Sequence, residues 1–242
     1  MLDVHPPHHA ANSWRDFFVH IATITVGLLI AIGLEQSVEA LHHRHQRHEL
    51  EAQLYAEAER NLELVHGNIM RLRALRAWAD SAIAALNTAP VTDGQIKRDV
   101  LASEKTFNGS IWDPSRTVWT VAKASGTVAL LPEDEAQVYA RVDFEGEQLE
   151  VGEVELRQAM MPIGAIAKSG LGLSPARLQS FTLAERDNLV RALTGASIEA
   201  GVLLELELTE SGACRAVLHG ARSVDEVLRY TQEEGKQFPA KE

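Results

Sequence analysis

Eighteen consecutive residues, Phe17 to Leu34, carry no formal charge, and this run constrains the chain more than any other feature. A helix rises about 1.5 Å per residue, and the hydrocarbon core of a bilayer takes roughly 17–25 such residues to cross. The run is therefore long enough to span. Trp14, Arg15 and Asp16 stand on one side of it, and Glu35, Gln36 and Glu39 on the other. The pattern predicts a short polar head over residues 1–16, a transmembrane helix over 17–36 and a soluble domain over 37–242.

A cleavable signal peptide would show a basic leading region, an apolar stretch of about 7–15 residues and small residues flanking the cut. Val38-Glu39-Ala40 meets the last requirement. The apolar run is too long for the second, and only Arg15 precedes it, so a retained anchor is the better reading. A core helix of a soluble protein would carry a polar face. Here only His20, Thr23 and Thr25 are clearly polar, and threonine hydroxyls can bond carbonyls one turn back. Gly27 and Gly33 leave room for a neighbouring helix but lack GxxxG spacing. Basic residues do not orient the span: Arg15 precedes it, Arg44 and Arg47 follow it, and the head otherwise offers His5, His8 and His9.

The segment Gly27-Leu28-Leu29-Ile30-Ala31-Ile32-Gly33-Leu34, with Glu35-Gln36-Ser37-Val38-Glu39 after it, resembles the opening of a family of uncharacterised bacterial single-span membrane proteins. Thr117-Val118-Trp119, Ala122-Lys123-Ala124-Ser125-Gly126 and Leu130-Leu131 resemble a second block of that family. The chain departs from it at Glu35-Gln36-Ser37, where paired asparagines and a tryptophan are usual. The resemblance implies an inner-membrane protein with a cytoplasmic head and a helical periplasmic domain, and it implies no activity.

A chain of 242 residues allows the anchor and one sizeable domain. Hydrophobic residues at 45% and charged residues at 24% are ordinary for a folded protein. The net charge of −11 argues against nucleic acid as a partner. Arg71, Arg73 and Arg76 form a basic cluster on an otherwise mixed helix. The lone Cys214 excludes an intramolecular disulfide and reads as a small buried hydrophobe.

The fold class predicted is all-α: the transmembrane helix, able to run on unbroken into a long helix, followed by a helical bundle. Leu50, Leu54, Ala58, Leu62, Val65, Ile69, Leu72, Ala79, Ile83 and Leu86 recur mostly in steps of three and four, one stripe of a long helix. Glu57, Arg60, Glu63 and Arg71 read as its solvated face. Asn87-Thr88-Ala89-Pro90 ends it, and a shorter helix is predicted from Thr92. Asp113-Pro114 suits an N-cap and first helical turn, with Gly126 as the left-handed stop. Leu131-Pro132 opens the next helix, its first turn carrying Glu133, Asp134 and Glu135; Pro162 is expected to kink or end it. Capping boxes at Thr182–Glu185 and Ser223–Glu226 open the last two helices. Val202–Leu208 partly alternates, but no partner strand is evident, so helix is expected.

His42, His45 and His48 lie three apart just beyond the span, the weak candidates for a metal site. The favoured alternative is an interfacial belt in which these histidines, His43, Arg44 and Arg47 meet lipid headgroups. Phe107, Trp112 and Trp119 form an aromatic group; Trp119 reads as core, whereas Trp112, in a loop, is a candidate surface or pocket residue. Ser125 lacks a nucleophile elbow, and the carboxylates from Glu145 to Glu155 read as solvated.

No catalytic constellation is found and no cofactor is implied. The expectation is a non-catalytic interaction or structural module of the bacterial inner membrane, single-pass, with Trp112, Trp119, Arg44 and Arg47 as interaction candidates. Its partners would be the lipid bilayer and another membrane protein or a second copy. The alternative is a single-span sensor whose helical domain binds a small ligand or metal, a reading that the short head, without an output domain, disfavours. A closed apolar cavity beside Trp112 and Trp119 would favour the sensor, and a solid core with an exposed apolar patch the partner-binding module.

Overall fold

The computed structural model describes residues 14–87, 111, 113–168 and 179–237, and every regular element among them is a helix. These are α1 (Trp14–Asn87), α2 (Thr117–Ser125), a 3-10 turn (Thr127–Leu130), α3 (Glu133–Lys168), α4 (Leu183–Leu218) and α5 (Val224–Gln237). The chain divides into one unit ending at Glu49 and a second beginning at Leu50, so the boundary falls within α1.

In the first unit the apolar side chains are exposed: Phe18, Leu29 and Leu34 each show more than 60% of their surface. Among the described residues, α1 is the one helix long and apolar enough to cross a membrane. Its hydroxyls are satisfied internally, since Thr23 donates to the Val19 carbonyl (2.9 Å), Thr25 to Ile21 (2.9 Å) and Ser37 to Gly33 (2.7 Å). Trp14, Phe17 and Phe18 cluster at its start, with ring centroids 5.8–6.0 Å apart.

The second unit is a bundle whose apolar residues fall on heptad stripes, the spacing that lets helices pack side by side. Val65, Ile69, Leu72, Leu75, Ala79, Ala82 and Leu86 of α1 meet Leu149, Leu156 and Ile163 of α3 and Leu189, Leu193, Ala196, Ala200 and Leu203 of α4. A second cluster joins Ala58, Val138, Ala213, Cys214, Val217 and Val227. A third joins Leu50, Leu54, Trp119, Ala122 and Leu131. The α4–α5 contact is set by Gly212: a Cβ there would stand 2.4 Å from the Thr231 Cα, so only glycine lets the two backbones approach.

Local signals act as the sequence predicts at several points. Gly126 ends α2 in the left-handed conformation (φ 76°). Thr182 and Glu185 form both bonds of the capping box, and Glu226 donates its N–H to Ser223 Oγ at 3.3 Å. Val202–Leu208 lies inside α4.

Two helix boundaries differ from expectation. The third helix runs through Pro162 to Lys168. Pro162 is exposed, so the Gln158 carbonyl that it leaves without an intrahelical bond can turn to water, while buried Ile163 holds the next turn in the core. The second helix begins at Thr117 with Arg116 as N-cap, not at Asp113-Pro114. Bonds to α1, described below, hold Ser115 outside the helix. The helix predicted from Thr92 lies outside the described residues.

Candidate functional site

Glu57 and Asn61 sit one turn apart on α1 and are both buried. Glu57, read from the sequence as solvated, is turned inward because it fastens the segment leading into α2. Asn61 Nδ2 donates to the Ser115 carbonyl (2.8 Å) and its Oδ1 accepts from the Ser115 N–H (2.9 Å). Glu57 Oε1 accepts from Ser115 Oγ (2.6 Å) and from the Val118 N–H (3.1 Å). Arg116 supplies no side-chain cap, so Glu57 caps α2 from another helix, with its carboxylate at the positive end of the dipole.

Beside this staple, Arg116 donates to Asp143 (2.8 Å) and to Glu150 (2.9 Å), and Lys123 donates to Asp143 (2.7 Å). Partial burial would raise the Asp143 pKa, but the bonds from Arg116 and Lys123 outweigh it and hold that carboxyl below its ordinary value. Partial burial works the other way on Arg116, yet Asp143 and Glu150 keep its pKa above the usual one.

A small cavity of about 30 Å³ lies here, lined by Glu57, Asn61, Arg116, Trp119, Tyr139 and Glu210 among others. A water needs roughly 10–15 Å³ measured this way, so the space suits about two waters and not an organic ligand.

A line of carboxyls runs inside the bundle. Glu207 and Glu210 each show 1% of their surface, and among the described residues neither Glu207 Oε2 nor Glu210 Oε2 has a hydrogen-bond partner. Burial pushes the Glu207 pKa up to about 8; the bond from Asn68 Nδ2 (2.8 Å) opposes the rise, and the negative field of Glu210 and Glu153 adds to it. Burial likewise lifts Glu210 to about 8, against a bond from Cys214 Sγ (3.3 Å). Burial thus shifts both toward the neutral acid form. Burial and Asp113 raise Glu153 to about 7. Glu145, buried and paired with Arg141, is raised by desolvation. Glu145 and Glu153 therefore correct the expectation that the stretch from Glu145 to Glu155 is solvated. Burial also raises the Cys214 thiol, which keeps it protonated.

Ser211, His66 and Glu234 meet between α1, α4 and α5. Ser211 Oγ lies 3.1 Å from His66 Nε2 and donates to Glu234 Oε1 at 2.7 Å; Glu234 also takes Arg215 Nη1 at 2.5 Å. Burial would raise the Glu234 pKa, but Ser211, Arg215 and His66 together hold it down. The three residue types match a hydrolytic triad and the arrangement does not. A triad carboxylate orients the imidazole through Nδ1, whereas Glu234 approaches the same Nε2 as the serine, at 3.4 Å. Ser211 is fully buried and gives its proton to a carboxylate. The cluster ties helices together.

Of the residues singled out from sequence, Trp119 is buried in the third core cluster with its ring 6.0 Å from Tyr139. Trp112 and Phe107 lie outside the described residues. His42, His43, Arg44, His45 and His48 are exposed and Arg47 is half-buried. Among the described residues, no group of three His, Cys, Asp or Glu side chains is placed to hold a metal ion. Compared with protein-family models, curated proteins and solved structures, the chain finds no match.

Sequence reasoning missed Glu57, Asn61, Glu207, Glu210 and the Ser211 cluster. Their signal was heptad register. Leu189, Leu193, Ala196, Ala200, Leu203, Glu207, Glu210, Cys214 and Val217 alternate in steps of four and three, so the glutamates continue the apolar stripe. What the arrangement does chemically is fasten helices to one another.

Proposed function

We propose that the chain is a single-pass protein of the bacterial inner membrane, anchored by residues 17–36, whose helical unit is a non-catalytic interaction or structural module. One observation carries the anchor: the apolar side chains from Phe17 to Leu34 are exposed, as lipid requires and water disfavours. The family resemblance favours a periplasmic placement of the helical unit.

The module is favoured over the sensor by the interior of the bundle. Its cavity beside Trp119 has room for about two waters, and buried Asn68 and Ser211 bond across helices to Glu207 and Glu234. Three experiments on the full-length chain test the reading. Alkaline carbonate washing of membranes should leave the protein in the pellet; release into the supernatant overturns the anchor. A carboxyl-terminal reporter active only in the periplasm should be active; activity of a cytoplasm-only reporter reverses the orientation. Co-purification after gentle solubilisation should recover a partner or a second copy; the protein alone in every detergent counts against the module.

A further inference from the structure

Six of the seven residues from His42 to His48 are histidine or arginine, Gln46 being the exception. The segment is helical, and His42, His43, Arg44, His45 and His48 are exposed. At about 100° per residue these six side chains point all around the helix rather than along one stripe. A protein partner or a chelated metal would be met from one side. The headgroup layer of a bilayer meets a helix from every side.

The distances agree. Counted from Leu34 at about 1.5 Å per residue, His42 stands about 12 Å and Arg44 about 15 Å beyond the apolar run. Side chains of a helix lean toward its N-terminus, here back toward the run by about one turn. Long arginine stems extend that reach. The headgroup region is roughly 5–7 Å deep on each side of the hydrocarbon, so the guanidinium of Arg44 and the imidazole of His42 come level with lipid phosphates. Arg47 follows within a Debye length. Glu35 and Glu39 lie closer to the run and Glu49 follows the segment; their charges oppose any anionic lipid.

We infer that residues 42–48 form a collar that binds phospholipid phosphates around the whole circumference of α1, and that it reverses the preference for neutral lipid which Glu35 and Glu39 would otherwise impose. The inference rests on the membrane reading above. It is tested on the full-length protein reconstituted in phosphatidylcholine vesicles containing trace spin-labelled phosphatidylglycerol or spin-labelled phosphatidylcholine. The protein should hold the anionic label at least about twofold more strongly than the neutral one at low salt, and salt should bring the ratio toward one. A variant with R44Q, R47Q and glutamine at His42, His43, His45 and His48 should drop to one or below while R15Q keeps the original ratio. A wild-type ratio of one in a protein that resists carbonate overturns the collar and leaves the anchor standing. An equal drop in R15Q also overturns it. Release of the wild type by carbonate overturns the membrane reading itself.

Discussion

The two units of this chain invert each other. Through residue 34, α1 holds its apolar side chains outward and bonds its few hydroxyls to its own backbone. From Leu50 onward, α1, α3 and α4 hide their apolar stripes and bury glutamates in the same register. A helix is thus not apolar or polar by composition alone; what decides is which groups find partners. In the first unit backbone and hydroxyl bonds close within one helix, which is the condition for lipid. In the second, carboxyls and amides close their bonds across helices, and where no partner exists the carboxyl keeps its proton.

The comparison breaks most completely if charge enters the first unit. I24R combined with L28R places two guanidiniums mid-span at a cost of about 6 kcal/mol on insertion scales. The carbonate-resistant fraction of the full-length protein should fall close to zero while circular dichroism of the purified chain keeps its helical signal.

A smaller effect sharpens the other half. Glu207 and Glu210 have folded pKa values near 8, above those of the unfolded chain. The folded state therefore binds more protons between about pH 4.5 and 8, and stability falls as pH rises through that window. Between pH 6 and pH 8.5 the two groups together remove about 5 kcal/mol, so the melting temperature should drop by roughly 10–20 °C, and E207Q with E210Q should flatten the profile. Asp143 and Glu234, held low by their partners, act in the opposite sense below about pH 4. A flat wild-type profile above pH 6 would mean that the buried carboxyls find bonds in solution.

The smallest effect is local. Thr182→Ala removes both the hydroxyl that accepts the Glu185 N–H at 3.3 Å and its bond to the Glu185 carboxylate. It should lower stability by about 1 kcal/mol, read by denaturant unfolding.

Legibility in the sequence followed the range of the interaction. Gly126, the Thr182 box and the helical state of Val202–Leu208 depend on neighbours a few residues away, and the sequence displays them. The start of α2 does not: Ser115 answers to Asn61 and Glu57, 54 and 58 residues earlier, and no local pattern announces a cap lent by another helix. A charged residue in a sequence implies a solvated one, because most are. Glu57, Glu145, Glu207 and Glu210 could still have been flagged by carrying the three-and-four step through polar positions. Pro162 does not end α3, since buried Ile163 holds the next turn in the core.

Gly212 leaves selection no latitude. Every other L-amino acid would add a carbon where the Thr231 backbone stands. The docking of the last helix thus hangs on a hydrogen atom, at a position that carries no charge, no catalytic group and no side chain.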